Sequence, residues 1–494
     1  MNFFGKYFKI SLLILFFVEL FSFLSFQSDV LSLIIFVNIS ILVLIVSFYN
    51  PKYGLLLALG ELIVGSKGNL FLLNIGSNDM SIRKIIFAYV ILGWLFHLVR
   101  RRKSFVLKNF ASKGLMALGI FVVWGLVMAF ISKNSIGSIY HDINSWIFFL
   151  YAVVFFDYVR EYKFVKKIYQ VLTAGIAWVC LKSLALLFIF SHTLPNMEVI
   201  YQWVRKSGFG EITLLSGNFY RIFSQSQIYV LIGLAIFTGY LLFKNKIEWK
   251  WHDTGVYALI LLCLATTLLS LSRSNWVGLL FGGLFALIFG IFKFKLGWKK
   301  ISLFILTTIG TAVLSIGLIA VIVYFPYPNS ANIDAGSMLK ERIQTDEAAA
   351  ASRWSQLPNL GRELVKHPIL GSGWGTTVTY ISQDPRILET SKTGEYTTYA
   401  FEWGYLDIML KIGLAGLLVY LYTIYALSKI GWKLLDCKLT ENKALIAGLL
   451  LGVVVLVATH GFSPYLNHPL GIGYILLTIS LISFYKNNNK YLKQ

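Results

Sequence analysis

Long apolar runs, separated by short basic clusters, constrain this chain more than any other feature of its 494 residues. The runs have the length of helices that cross a hydrocarbon core about 30 Å thick. A segment in lipid must satisfy its own backbone hydrogen bonds, which leaves the helix or the closed barrel. Barrel strands alternate apolar and polar residues over segments of about ten, and no such alternation occurs. The sequence therefore predicts an all-α, polytopic membrane protein with about fourteen transmembrane helices. The expected spans are 10–26, 30–48, 53–64, 82–99, 114–131, 144–158, 168–190, 228–243, 255–271, 275–292, 301–325, 401–427, 444–460 and 470–485. The first follows Lys6 and Lys9 as a signal peptide would, but has no small-residue cleavage site and reads as a retained span. The third is short and runs into Gly65-Ser66-Lys67-Gly68, which also fits a broken or re-entrant helix.

The charges test this map. Lys6 and Lys9, Lys52, Arg100 to Lys103, Arg160 to Lys167, Lys244 to Lys250, Lys293 to Lys300, Lys429 to Lys443 and Lys486 to Lys493 fall in every second loop. Basic residues gather on the cytoplasmic side, so both termini are expected there. The segments 191–227, 271–274, 326–400 and 461–469 then share the other face. Residues 1–325 read as a membrane domain of helices 1–11, 326–400 as an extracytoplasmic loop with short helices, and 401–494 as a membrane domain of helices 12–14. A net charge of +21 would suit nucleic acid if it formed a stripe on a soluble module. Here it punctuates apolar runs, so the expected partner is the lipid bilayer and not nucleic acid. Cys180 and Cys263 lie in spans and Cys437 in a Lys-rich loop, which leaves the long polar loop without a disulfide.

That loop carries Arg342, Arg353-Trp354, Arg362, His367-Pro368 and Gly371-Ser372-Gly373-Trp374-Gly375, and Glu402-Trp403 opens the next span. Arginine donates two parallel hydrogen bonds to phosphate and keeps its charge. Arg221, Arg273, Arg342 and Arg353 map to the outer face and are candidates for gripping a lipid pyrophosphate. Contact with ordinary headgroups competes with that reading for any one of them. Arg273 stands in the tight turn Leu271-Ser272-Arg273-Ser274-Asn275-Trp276, a costly place for an idle charge. Glu402 is the candidate catalytic base, and pairing with an arginine to hold the loop fits it equally. His460, Trp354 and Trp403 are candidate substrate contacts, and Trp374 offers either a face for a sugar ring or an interfacial anchor.

Other residues read more plainly. Asp407 and Lys411 have the spacing of a structural i,i+4 pair. Glu19, Glu61 and Lys182 lie inside spans without an evident partner, as residues of an ion path would. Ala348 to Ala351 favours helix, Asp346 and Glu347 suit its positive end, and Pro358 is expected to kink or end it. Pro368 and the glycines are expected to end the second helical piece. The glycine run lacks the strand and lysine of a nucleotide loop and reads as a closely packing hinge. No D-x-D, H-E-x-x-H or G-x-S-x-G occurs in a suitable context, so neither a metal nor a cofactor is expected.

The order Ser352-Arg353-Trp354, His367-Pro368-Ile369-Leu370-Gly371-Ser372-Gly373-Trp374-Gly375 and Tyr405-Leu406-Asp407-Ile408-Met409-Leu410-Lys411-Ile412-Gly413-Leu414-Ala415-Gly416 resembles the O-antigen ligase and Wzy-type polymerase family of membrane glycosyltransferases. Ser272-Arg273-Ser274, and Arg221 before a span, fit it too. The resemblance covers about residues 215–430. It implies metal-independent transfer of glycan from an undecaprenyl-pyrophosphate carrier, on the extracytoplasmic face of a bacterial plasma membrane. By motif position Arg221 and Arg353, and less directly Arg273, would hold the pyrophosphate. Ligases of the family typically carry a histidine, often followed by asparagine, before the Tyr-Leu segment. This chain has Glu402-Trp403 instead, and an acid near that position occurs among related polymerases. The resemblance thus favours a polymerase that joins lipid-linked repeat units, working beside other polysaccharide-assembly proteins. A ligase moving finished glycan to another acceptor would share the same residues. A lipid-linked oligosaccharide flippase would show charges deep in a central cavity and repeat symmetry between its halves. A non-catalytic envelope scaffold would leave Arg273 unexplained.

Overall fold

Helix boundaries in this chain are set by residues unsuited to continuing a helix. A single extended residue, Ser28, separates Lys6–Gln27 (α1) from Asp29–Tyr49 (α2). Asn50 caps Pro51–Val64 (α3), accepting from the Lys52 amide at 3.1 Å. Pro51 occupies the first turn, where its missing N–H costs nothing. The structure is a computed structural model and describes residues 1–75, 78–101, 112–244, 251–326, 348–389, 391, 393–436 and 440–490. The hairpin Leu72–Ile75 (β1) and Asn78–Ser81 (β2) leads to Ile82–Arg101 (α4). Ser112–Ile131 (α5) and Ile136–Ile143 (α6) precede a 3-10 segment, Trp146–Leu150, that continues as Tyr151–Tyr158 (α7). Tyr162–Ser191 (α8) is followed by Met197–Lys206 (α9) and the hairpin Gly210–Leu214 (β3) with Tyr220–Ser224 (β4). Next come Gln227–Phe243 (α10), Trp251–Leu269 (α11), Arg273–Phe292 (α12) and Trp298–Tyr324 (α13). The last described stretch holds Ala348–Lys366 (α14), Val378–Ile381 (β5), the turn Pro385–Leu388 (α15), Glu395–Thr398 (β6), Gly404–Leu434 (α16), Thr440–His460 (α17) and Pro469–Lys490 (α18). The pairs β1–β2, β3–β4 and β5–β6 are each antiparallel.

Eleven of these helices are long and apolar enough to cross a membrane, and α6 with the Trp146–Tyr158 segment, bent by 42°, makes a twelfth. Two shorter helices also connect the faces. α3 begins beside Glu161, which Lys52 meets at 2.8 Å, and is followed by Ser66, whose amide donates to Ser226 Oγ at 3.0 Å. α10 starts at that same Ser226 and ends beside Lys244, paired with Asp253 at 2.8 Å. With α3 and α10 added to the twelve candidate spans, fourteen helical segments connect the two faces among the described residues, and the protein is an all-α polytopic membrane protein.

The centre is built from α8, α10, α17 and α18. In the most apolar stretch of each helix, 89% of the residues of α18 and 78% of those of α17 are buried, against 17% in α1 and 22% in α2, as in lipid-facing helices. α10 and α17 cross so closely that a Cβ on Gly239 would lie 2.8 Å from Gly448 Cα. Small residues permit such contacts between membrane helices.

Ion pairs crowd one face. Arg101 and Arg160 approach Asp157 at 3.8 and 3.4 Å, and Lys293 meets Asp436 at 2.8 Å. Phe3 and Tyr485 also belong to this lysine face, through Phe3 N on His252 Nε2 at 3.3 Å and Tyr485 on Tyr169 at 3.3 Å. The opposite, loop face carries α9, the three hairpins and α14.

Two expectations change. The intramembrane charges do have partners: Glu19 pairs with Lys182 at 2.7 Å and Glu61 with Arg83 at 3.0 Å, because α1 packs on α8 and α3 on α4. α14 runs through Pro358 without ending. Ser355 and Asn359 fasten it to β5 by hydrogen bonds of 2.9 and 2.8 Å to the Ile381 and Thr379 carbonyls, and that packing outweighs the lost backbone bond. α14 does stop before Pro368. Arg342, Asp346, Glu347 and Cys437 lie outside the described residues.

Candidate active site

The glycine run of the polar loop does not stay on the surface. Residues 368–375 enter a notch between α5 and α16, and α16 breaks to receive them at Gly413, whose φ is +74°. A broken helix leaves amides and carbonyls unpaired, a large cost at membrane depth unless protein supplies partners. Here the loop supplies them. Leu414 N and Ala415 N donate to the Pro368 and Ile369 carbonyls at 3.0 and 3.1 Å. In return Ser372 N and Gly373 N donate to the Leu410 and Lys411 carbonyls at 2.7 and 3.1 Å. Gly373 has φ +86°, and a Cβ there would lie 2.5 Å from Ala129 Cα in α5, so glycine is required for the approach as well as the conformation. The run is a docked plug between helices and not a free hinge. Trp374 is fully buried, its Nε1 donating to Val122 O at 2.8 Å, so it is neither a sugar platform nor an interfacial anchor.

A buried polar network holds the plug. Asn134, just past α5, donates to the Ser372 and Trp374 carbonyls at 3.2 and 2.9 Å. Asp142 in α6 accepts from the Gly375 amide at 2.7 Å. Lys411, fully buried, meets the same Asp142 oxygen at 2.5 Å and donates to the Thr376 and Tyr399 carbonyls at 3.2 and 2.8 Å. Asp407 is 4.0 Å away and is bonded by the Asn467 amide. The expected Asp407–Lys411 pair is thus the weaker of two, because α6 brings a nearer acid. Burial first, and Asp142 second, push the Tyr399 phenol above its ordinary pKa.

The plug positions α14 and the start of α16 on the loop face. Arg353 in α14 pairs its guanidinium with Glu402, just before α16. Trp403 Nε1 donates to the Arg353 carbonyl at 3.0 Å, and its ring stands 5.3 Å from Trp354 and 6.0 Å from Phe462. The next residue, Ser463, donates to Ser274 Oγ at 3.0 Å. Ser274 is the second residue of α12, after half-buried Arg273. On the other side of that turn Arg221 Nε donates to Ser270 O at 2.7 Å, with its guanidinium 5.0 Å from the Phe223 ring centre. One chain of contacts therefore runs along the loop face from Arg221 through the Arg273 turn to Arg353 and Glu402.

Residues 258–421 match the family model described as O-antigen ligase. This segment, a third of the chain, is O-antigen ligase-like. The O-antigen ligase-like segment runs from α11 into α16, and it contains the Arg273 turn, the plug, Arg353, Glu402 and Lys411, but not Arg221 or His460. The match supports a membrane enzyme of glycan transfer. No curated protein matches the chain.

Against this O-antigen ligase-like frame the candidate residues separate. Arg353 and Glu402 are in direct contact, and Trp354 and Trp403 flank them. Arg221 and Arg273 flank one turn. His460 stands apart: it is fully buried, its Nδ1 accepts from the Leu466 amide at 3.0 Å, and its ring packs 4.7 Å from Tyr405. It supports the start of α16 and does not reach the surface. Asn134 and Asp142 are missing from the sequence reading. Their sole advance signal is polarity next to a span. Among the described residues no group of three or more His, Cys, Asp or Glu side chains is placed to hold a metal ion.

Proposed function

We propose that this protein polymerises undecaprenyl-pyrophosphate-linked oligosaccharide repeat units into a cell-surface polysaccharide. The observation that carries the reading is the Arg353–Glu402 contact, linked through Trp403, Phe462 and Ser463 to the Arg273 turn. It joins a cation suited to pyrophosphate with a carboxylate suited to a hydroxyl proton. The lysine face is cytoplasmic by the positive-inside rule, which makes the loop face extracytoplasmic.

Catalysis follows from a competition. An arriving pyrophosphate offers Arg353 more negative charge than Glu402 does, takes the guanidinium, and frees the carboxylate. The acceptor hydroxyl oxygen then bonds to the anomeric carbon of the donor sugar. The bond from that carbon to the pyrophosphate oxygen breaks, and its electron pair leaves with the lipid pyrophosphate. The hydroxyl proton passes to Glu402. Arg353, Arg273 and Arg221 meet the charge growing on the leaving group, and fixed donors of this kind usually supply more of the rate enhancement than any other effect. With guanidinium groups in that role the transfer needs no metal. Trp354 and Trp403 offer apolar faces to the sugars.

The family description favours a second reading, ligation of glycan to a different acceptor. Purified protein in proteoliposomes separates the two. A ladder of products from lipid-linked repeat units alone supports polymerisation. Product that forms only when a second lipid acceptor is added supports ligation. Recovery of unchanged substrate under both conditions removes the glycan-transfer reading.

A further inference from the structure

A slot of about 420 Å³ opens among α10, α11, α12, α13 and α17, away from the candidate active site. Its walls are apolar, with Leu241, Phe304 and Ala286 among them, and Lys300 stands at one end. Along α10 it extends from Leu231 to Lys244, about 20 Å at the rise of a helix. That exceeds half of a hydrocarbon core about 30 Å thick, so one acyl chain rooted at the lysine face fits lengthwise.

The two ends differ. Toward the loop face α12 lies flush on its neighbours: a Cβ on Gly278 would be 2.6 Å from Thr459 Oγ1 and 2.8 Å from Leu231. Below that seal, Gly283 lines the slot, and a Cβ there would meet nothing within 4 Å. At the lysine face, Lys244 and Lys293 are engaged by Asp253 and Asp436. Lys295, Lys299 and Lys300 are exposed, with no acidic partner among the described residues. Exposed Trp298 begins α13 beside them, as an interfacial anchor does.

We infer that the slot holds an anionic phospholipid of the lysine-face leaflet, its acyl chain between α12 and α13 and its phosphate on Lys299 and Lys300. Basic pockets between membrane helices recognise anionic headgroups in this way. The closed end below the loop face sets this occupant apart from a carrier whose headgroup lies on the other side.

The full-length protein, equilibrated with mixed phosphatidylcholine and phosphatidylglycerol vesicles and extracted in mild detergent, is weighed intact. One retained phosphatidylglycerol per chain, in preference to phosphatidylcholine, is expected. Gly283→Phe fills the slot and should reduce retention at least tenfold, with the lipid-free unfolding temperature unchanged. Lys299→Glu with Lys300→Glu should abolish the preference for phosphatidylglycerol. Equal retention of the two lipids by the wild type overturns the inference, as does full retention in Gly283→Phe. Displacement of phosphatidylglycerol by an equal amount of polyprenyl phosphate overturns it too, by making the slot a carrier site.

Discussion

Lys411 and Asp142 form an ion pair of 2.5 Å at the point where the glycine plug meets the helices. The ammonium has 0% side-chain exposure and the carboxylate 12%. Removing one member of such a pair leaves the other uncompensated, at about 3–5 kcal/mol. Lys411→Met should therefore lower the thermal unfolding temperature of the detergent-solubilised protein sharply. Adding Asp142→Asn to it should restore part of the loss. An unchanged unfolding curve for Lys411→Met would show that the network does not hold the plug.

Gly373→Ala tests the plug from its backbone. The methyl would meet α5, and the residue would keep a strained positive φ, worth about 1–3 kcal/mol before any clash. Reduced stability together with proteolytic cleavage near residue 373 is expected. Gly137→Ala serves as the control, since nothing lies within 4 Å of its Cβ position.

Arg353→Ala and Arg221→Ala should each lower polymer formation by about 10²–10³-fold, the usual cost of losing one preorganised donor. Membrane insertion, read from detergent extraction and elution volume, should be normal. Arg353→Lys retains the charge but not the fork and should recover only part of the activity. Wild-type rates in Arg353→Ala would remove it from the mechanism.

Glu402→Gln separates base from brace. Loss of a general base costs about 10²–10⁴-fold in rate. An exposed ion pair such as Arg353–Glu402 contributes no more than about 1 kcal/mol to stability. A slow but stable variant is expected, and a variant of near-normal rate would assign Glu402 to holding the loop.

Glu19 and Lys182 offer a charge-swap test, since the pair of 2.7 Å ties lipid-facing α1 to α8. Either single replacement, Glu19→Lys or Lys182→Glu, should destabilise by several times the loss shown by the swapped pair. Additive losses in the swap would show that the residues do not act together.

Length and hydropathy made the spans legible, because lipid dictates both. Even α3, only 14 residues long, is marked by Asn50-Pro51 at one end and Gly65 at the other. The loop-face arginines are legible for a similar reason: once the topology is drawn, Arg221, Arg273 and Arg353 must share a side. Neighbours across the bundle are another matter. Apolar periodicity gives depth but not the identity of the adjacent helix, so Glu19 and Glu61 read as solitary and Lys411 is matched to Asp407 instead of Asp142. Gly413 reads as an ordinary glycine in a span, although the helix breaks there. Trp374 has the sequence setting of an interfacial tryptophan and lies fully buried, since only the docking of its loop decides where it goes.

The plug also imposes an order on biosynthesis. Asn134 and Asp142 leave the ribosome well before the residues that satisfy them, Ser372 to Gly375 and Lys411. At about 5–20 residues per second that interval is on the order of tens of seconds. Throughout it, two polar side chains wait beside the bilayer with no mate. The nascent chain therefore carries this exposed pair from the emergence of Asp142 until Lys411 follows, and a product truncated before Gly375 never satisfies it.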